Sequence, residues 1–122
     1  TWVKGNAYSL IATLYESNIT LNQAAATYFK DVRWVMIGID HEAKQIAIKP
    51  VTKREIDSKL VALEQLHKIS VGKGYARISN KQIMEEISEM IAQPLQAQKC
   101  DGTYDEQEGL VIIHLAKDQE RG

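Results

Sequence analysis

Ile19-Thr20-Leu21-Asn22-Gln23 and Ile78-Ser79-Asn80-Lys81-Gln82 decide how this chain is read, because each opens the same series of signals. The first is followed by a small-residue helix, the apolar run Trp34 to Ile39, a polar turn from Asp40, and the alternating stretch Gln45 to Lys49. The second is followed by an amphipathic helix, a mixed segment, Asp105, and the apolar stretch Leu110 to Leu115. A strand-helix-hairpin of this size cannot bury its own apolar face, whereas two copies bury theirs against each other. The pattern predicts a β-rich α+β fold in a single domain over 1–122, with copies at about 8–50 and 67–115 and a linker or helix at 51–66.

Working outward, Tyr8 to Tyr15 is aromatic and β-branched and reads as a strand, and Asn18 to Leu21 continues it after a turn at Glu16-Ser17. Thr20 with Gln23, and Ser79 with Gln82, have the spacing of capping boxes, predicting helices from Leu21 to Phe29 and from Ser79 to Pro94. The copies align at an offset of 59 through these boxes, at 58 through Asn22 and Asn80, and at 65 through Asp40 and Asp105. Pro50 is expected to stop the second hairpin strand. Thr52 with Glu55 is a third capping box, and Ile56, Leu60, Leu63 and Leu66 fall at helical spacing, so an amphipathic helix from about Lys53 is expected. His67 to Val71 and Tyr75 to Ile78 read as strands about a Gly72-Lys73-Gly74 turn. Leu95 to Lys99 and Leu110 to Leu115 then form the second hairpin, joined by a long acidic connection from Asp101 to Gly109, and the last seven residues are a charged, frayed tail. Trp34, Met36, Ile37, Ile39, Met84, Ile87, Met90 and Ile91 are core candidates; the Met/Ile stripe, Trp2, Tyr8 and Tyr15 are also candidates for an oligomer interface.

The 122 residues, 44% hydrophobic and 25% charged, are ordinary for a globular protein. No run reaches the roughly 18 apolar residues of a membrane-spanning helix, and no leader pattern opens the chain, so no membrane partner and no secretion are expected. Cys100 is the only cysteine, which fits a reducing, cytoplasmic setting, and Asp101 beside it argues against a reactive thiolate. The net charge of −1 conceals an asymmetry. From Lys44 to Lys81 there are nine basic residues against three acidic; from Gln82 onward there are three basic against nine acidic. The two segments either pack together and cancel or leave a basic binding face.

Ser17-Asn18-Ile19-Thr20-Leu21-Asn22 with Asp40 to Lys49, and Gly74-Tyr75-Ala76-Arg77-Ile78-Ser79 with Asp105 to Leu115, resemble the plan of the AbrB/MazE-type swapped-hairpin domains. With the strands before them these stretches cover most of the chain outside 51–66. The family's Gly-Arg pair is replaced by Ser17-Asn18 in the first copy and by Gly74-Tyr75 in the second, and its helix-opening Pro by Thr20 or Asn22 and by Ser79. The resemblance implies an interlocked β-barrel with both units in one chain. It further implies a bacterial, non-enzymatic DNA-binding protein or transcription regulator.

Lys68, Lys73, Arg77 and Lys81 carry the strongest chemical signal. A two-stranded ribbon with Lys73 at its tip can straddle a nucleic-acid backbone, its cations neutralising phosphates and releasing counterions, with Tyr75 packing on sugar or base. Lys53 and Arg54 extend the patch. A solvated hairpin whose charges keep a sheet edge soluble would look the same. Duplex DNA is therefore the leading partner. The alternative is an antitoxin-like or mobile-element protein-interaction module that binds a protein partner or a second copy and no DNA. Gly72-Lys73-Gly74 lacks the Walker pattern, and His41-Glu42 has Gln45 where a zinc-protease motif needs its second His. The acidic loop lacks the spacing of a calcium loop. No catalytic group, cofactor, metal or small-molecule substrate is implied.

Overall fold

The computed structural model describes residues 9–115. The expected strand start at Tyr8, the interface candidates Trp2 and Tyr8, and the tail beyond Leu115 lie outside the described residues.

Strand β1 (Leu10–Leu14) turns at Tyr15 to Ser17 into β2 (Asn18–Leu21), followed by the short helix α1 (Gln23–Ala26) and a 3-10 turn over Thr27–Phe29. The hairpin β3 (Trp34–Asp40) and β4 (Gln45–Val51) comes next, then α2 (Lys53–Asp57) and a 3-10 turn at Leu63–Gln65. The second half contains β5 (His67–Lys68), β6 (Ser70–Gly72), β7 (Tyr75–Ser79), α3 (Lys81–Ile91), β8 (Gln98–Asp105) and β9 (Leu110–His114).

Among the described residues nine strands form one sheet in the order β5-β3-β4-β9-β8-β1-β2-β7-β6, and every pairing is antiparallel. Its two edge strands, β5 and β6, are consecutive in the chain and separated only by Ile69. One residue thus brings the two edges of the sheet together, and the result is a nearly closed barrel. Ile69 is 3% exposed and its N–H donates to the Arg33 carbonyl at 3.0 Å. The expected continuous strand from His67 to Val71 is split here because its first part pairs with β3 and its second with β7.

The barrel interior follows from period-two alternation in the strands. Ala12 and Leu14, Ile19 and Leu21, Ile46 and Ile48, Ala76 and Ile78, and Val111 and Ile113 all turn inward and are buried. Phe29 from the 3-10 turn and Met84 and Ile87 from α3 join them. Ile83, Met90 and Ile91 pack partly buried against this core, with Glu85, Glu86 and Glu89 on the exposed face of the helix.

Several boundaries differ from the sequence expectation for identifiable reasons. Asn22 and Asn80, not Thr20 and Ser79, cap α1 and α3: their Oδ1 atoms accept from Ala25 and Ile83 N–H at 3.1 and 3.0 Å. The strands keep one or two residues that the capping boxes assigned to helices, because Leu21 belongs to the buried face of β2 and Ser79 pairs with Asn18. The caps therefore lie 58 positions apart. β4 runs through Pro50, which is tolerated because β9 leaves β4 after the pair Ile48–Val111 and nothing beyond requires a Pro50 N–H.

Helix α2 has the expected Thr52–Glu55 capping box but ends after one turn, with Lys59 in the left-handed region at φ 60° and Leu60 N–H donating to the Glu55 carbonyl. Leu60 and Leu63 consequently stay 73% and 68% exposed instead of lining an amphipathic helix. Helix α3 stops at left-handed Ala92, before Pro94. β8 continues to Asp105, so the long acidic connection shrinks to a tight turn over 106–109. Trp34, expected in the core, lies on the outer face, because the inward phase of β3 is set by Val35.

Candidate nucleic-acid interface

The β6–β7 ribbon is closed by a two-residue turn, Lys73-Gly74, with Gly74 at φ 84°, a conformation that favours glycine. Across its base Gly72 faces Tyr75, and a Cβ added at Gly72 would come within 2.5 Å of the Tyr75 ring. Glycine thus leaves room for the aromatic ring directly beside the Gly72 backbone. Tyr75 and Arg77 are two positions apart on one strand and share its outer face. The Arg77 guanidinium carbon is 5.2 Å from the Tyr75 ring centroid, within cation–π range. Neighbours of Arg77 across the sheet are Ser70 on β6 and Thr20 on β2, both short and polar, so the guanidinium stands above its surroundings.

Lys68 precedes the Ile69 corner on β5, opposite Trp34 on β3. Lys73 occupies the ribbon tip, and Lys81 is the first residue of α3. Lys73 and Arg77 on the ribbon and Lys68 and Lys81 beside it are all exposed, as are Lys53 and Arg54 on α2. β5 and β6 connect Lys68 directly to the ribbon, whereas Lys53 and Arg54 lie beyond β3 and the end of β4. The acidic residues of α3 do not neutralise these groups by ion pairing. Among the described residues the one contact of this kind is His41 Nε2–Glu86 Oε2, at 3.1 Å, an ion pair only when the imidazole is protonated, which ties the β3–β4 turn to α3. On the same side Lys44 Nζ donates to the Met90 carbonyl at 3.1 Å.

The three histidines have separate neighbours: His41 meets Glu86, His67 meets Asn80 at 3.3 Å, and His114 lies 3.0 Å from Thr103 Oγ1. No cluster of three or more potential metal-ligating side chains occurs among the described residues. Nor does any helix have the length and apolarity to cross a membrane there. Cys100 is buried on β8.

Sequence reasoning missed one feature. Trp34 is 38% exposed and borders a groove together with Lys30, Arg33 and Lys53. The usable signal was the alternation Arg33-Trp34-Val35, in which a buried Val35 sends Trp34 outward. No family model, curated protein or solved structure matches this chain.

Proposed function

We propose that this is a non-enzymatic DNA-binding or transcription-regulatory protein on an AbrB-like swapped-hairpin plan, with Lys68, Lys73, Arg77 and Lys81 supplying phosphate contacts. The observation that carries the reading is the ribbon itself: exposed cations free of ion pairs among the described residues, with Arg77 held on Tyr75 above a smooth polar face. Such a surface admits a phosphate backbone closely, and cations that form no ion pair among the described residues are available to displace condensed counterions. Lys53 and Arg54 extend the positive surface past β3.

The architectural part draws support from the pairing pattern. β1 takes β8 as its neighbour and β3 takes β5, so each half lends its hairpin to the other. Corresponding strands pair across the halves, β2 with β7 and β4 with β9. Asp40 and Asp105 also make the same turn, each Oδ1 accepting the two N–H groups two and three residues on. The lone Cys100 fits a cytoplasmic setting.

The direct test is fluorescence anisotropy on a mixed-sequence duplex. Lys73→Ala plus Arg77→Ala should weaken binding by about tenfold or more, since each lost charge-assisted contact carries more than a neutral hydrogen bond. Lys99→Ala, an exposed cation on β8, should leave affinity within twofold. Equal affinity in all three proteins removes the proposal.

A second reading, the protein-interaction module, is favoured by the exposed Leu60 and Leu63. In its homodimer form it predicts concentration-dependent association by sedimentation equilibrium that Leu60→Ser plus Leu63→Ser abolishes. A monomer at all concentrations removes that form.

A further inference from the structure

The groove beside Trp34 has its own chemistry. The segment after the 3-10 turn passes through Asp31 in the left-handed region, at φ 63°, and enters β3 at Trp34. Across from it α2 sits at the end of β4. Between them is a cavity of about 760 Å³, within the roughly 300–1,000 Å³ typical of small-ligand sites.

Its aliphatic lining is Val32, Val51 and Ile56. Val51 is 3% exposed yet stands apart from the barrel core cluster, because its cross-strand partner is the outward Trp34. Trp34 supplies a planar wall that is 38% exposed and makes no ring stack among the described residues. Lys30, Arg33 and Lys53 place three cations on the rim, and Asp31 is the one acid among the described lining residues. The nearby Glu55 is turned back onto the helix start, its Oε1 accepting from the Thr52 N–H and hydroxyl at 2.9 and 3.2 Å. Lys68, the other cross-strand partner of Trp34, adds a further positive charge on the β5 side.

A flat aromatic surface, an apolar floor and an excess of cations within one cavity match a ligand that is planar at one end and anionic at the other. A simple anion would make no use of the indole, and an apolar ligand would leave the cations without partners. We propose that this groove binds a nucleoside phosphate, its base against Trp34 and its phosphate among Lys30, Arg33 and Lys53. The ligand is either a free nucleotide or an unpaired nucleotide of a nucleic-acid strand. Only the second source rests on the nucleic-acid reading of the ribbon.

The chain has two tryptophans, so Trp2→Phe leaves Trp34 as the sole indole reporter. In that background, adenosine 5′-monophosphate and an octameric single-stranded oligodeoxynucleotide should each quench the fluorescence saturably, whereas inorganic phosphate should not. Tighter binding of the mononucleotide identifies a free nucleotide as the ligand; tighter binding of the oligonucleotide identifies a strand. Arg33→Ala plus Lys53→Ala, both at exposed positions, should raise the apparent Kd at least about fivefold, as expected when charged phosphate contacts are lost. The thermal midpoint of that variant should be unchanged. No saturable quenching by either ligand, or an unchanged Kd in the double variant, overturns the proposal. Lys73→Ala plus Arg77→Ala separates the two readings, since it should weaken duplex binding and leave the mononucleotide titration intact. Failure of duplex binding with the titration preserved removes the ribbon reading alone.

Discussion

Replacing Asn22 by alanine should destabilise the fold more than any other single change at a helix start. Asn22 Oδ1 accepts from Ala25 N–H at 3.1 Å, capping α1, and from Ile11 N–H at 3.1 Å. Its Nδ2 donates to the Ser9 carbonyl at 2.8 Å. The Ile11 bond lies just beyond the last β1–β2 pair, Ala12–Leu21, so the side chain continues the ladder where the strand has ended. Loss of the cap costs about 1 kcal/mol. An unpartnered Ile11 N–H adds about 1 kcal/mol, the lower end of the range because the site is only half-buried. The exposed Ser9 carbonyl is satisfied by water and adds little. The sum, about 2 kcal/mol, corresponds to a urea midpoint lower by about 1 M for a typical slope. Asn80→Ala loses its cap and a long 3.3 Å contact with His67 but leaves no strand N–H unpaired, so it should cost less, about 1–1.5 kcal/mol. Thr20→Val keeps the β-branch and removes only the hydroxyl, whose bond goes to Asn18 within the same strand, so its cost should stay below about 0.5 kcal/mol. Equilibrium urea unfolding followed by circular dichroism measures all three. A Thr20→Val cost equal to that of Asn22→Ala would refute this assignment and restore the capping box.

Phe29→Ala removes the largest fully buried side chain and should cost about 3–5 kcal/mol, read as a large drop in thermal midpoint. Gly72→Ala places a methyl group against the Tyr75 ring and should displace it together with Arg77, lowering duplex affinity while the far-UV spectrum is retained. His41→Ala breaks the His41–Glu86 contact, between two half-exposed or more exposed side chains, and should change unfolding free energy by less than about 0.5 kcal/mol in a urea titration.

Much of the barrel was legible because its strands alternate. Ile46 and Ile48, and Ala76 and Ile78, announce their inward faces by period two, whereas the unbroken apolar run Leu110 to Ile113 does not mark Val111 and Ile113 as the inward pair. Local pattern misled where tertiary pairing extended a strand into a helix signal. Thr20 and Ser79 have capping-box spacing, but each pairs across the β2–β7 seam, so the next asparagine caps instead. The linker misled in the opposite way. Ile56, Leu60, Leu63 and Leu66 have helical spacing, but left-handed Lys59 ends α2 before the spacing acts. The β-ribbon with Lys73 in its turn and Arg77 on its second strand was legible from the Gly72-Lys73-Gly74 turn signal. The Trp34 groove was not, because it joins residues from either side of the β3–β4 hairpin and depends on the phase of one strand.

The salt dependence of duplex binding is the most direct test of the central claim. The logarithm of the association constant should fall linearly with the logarithm of salt concentration, with a slope of about −0.9 per phosphate neutralised. In Lys73→Ala plus Arg77→Ala the slope should be shallower by about 2, one for each phosphate contact removed. An affinity independent of salt, or an identical slope in the double variant, would contradict a phosphate-binding ribbon.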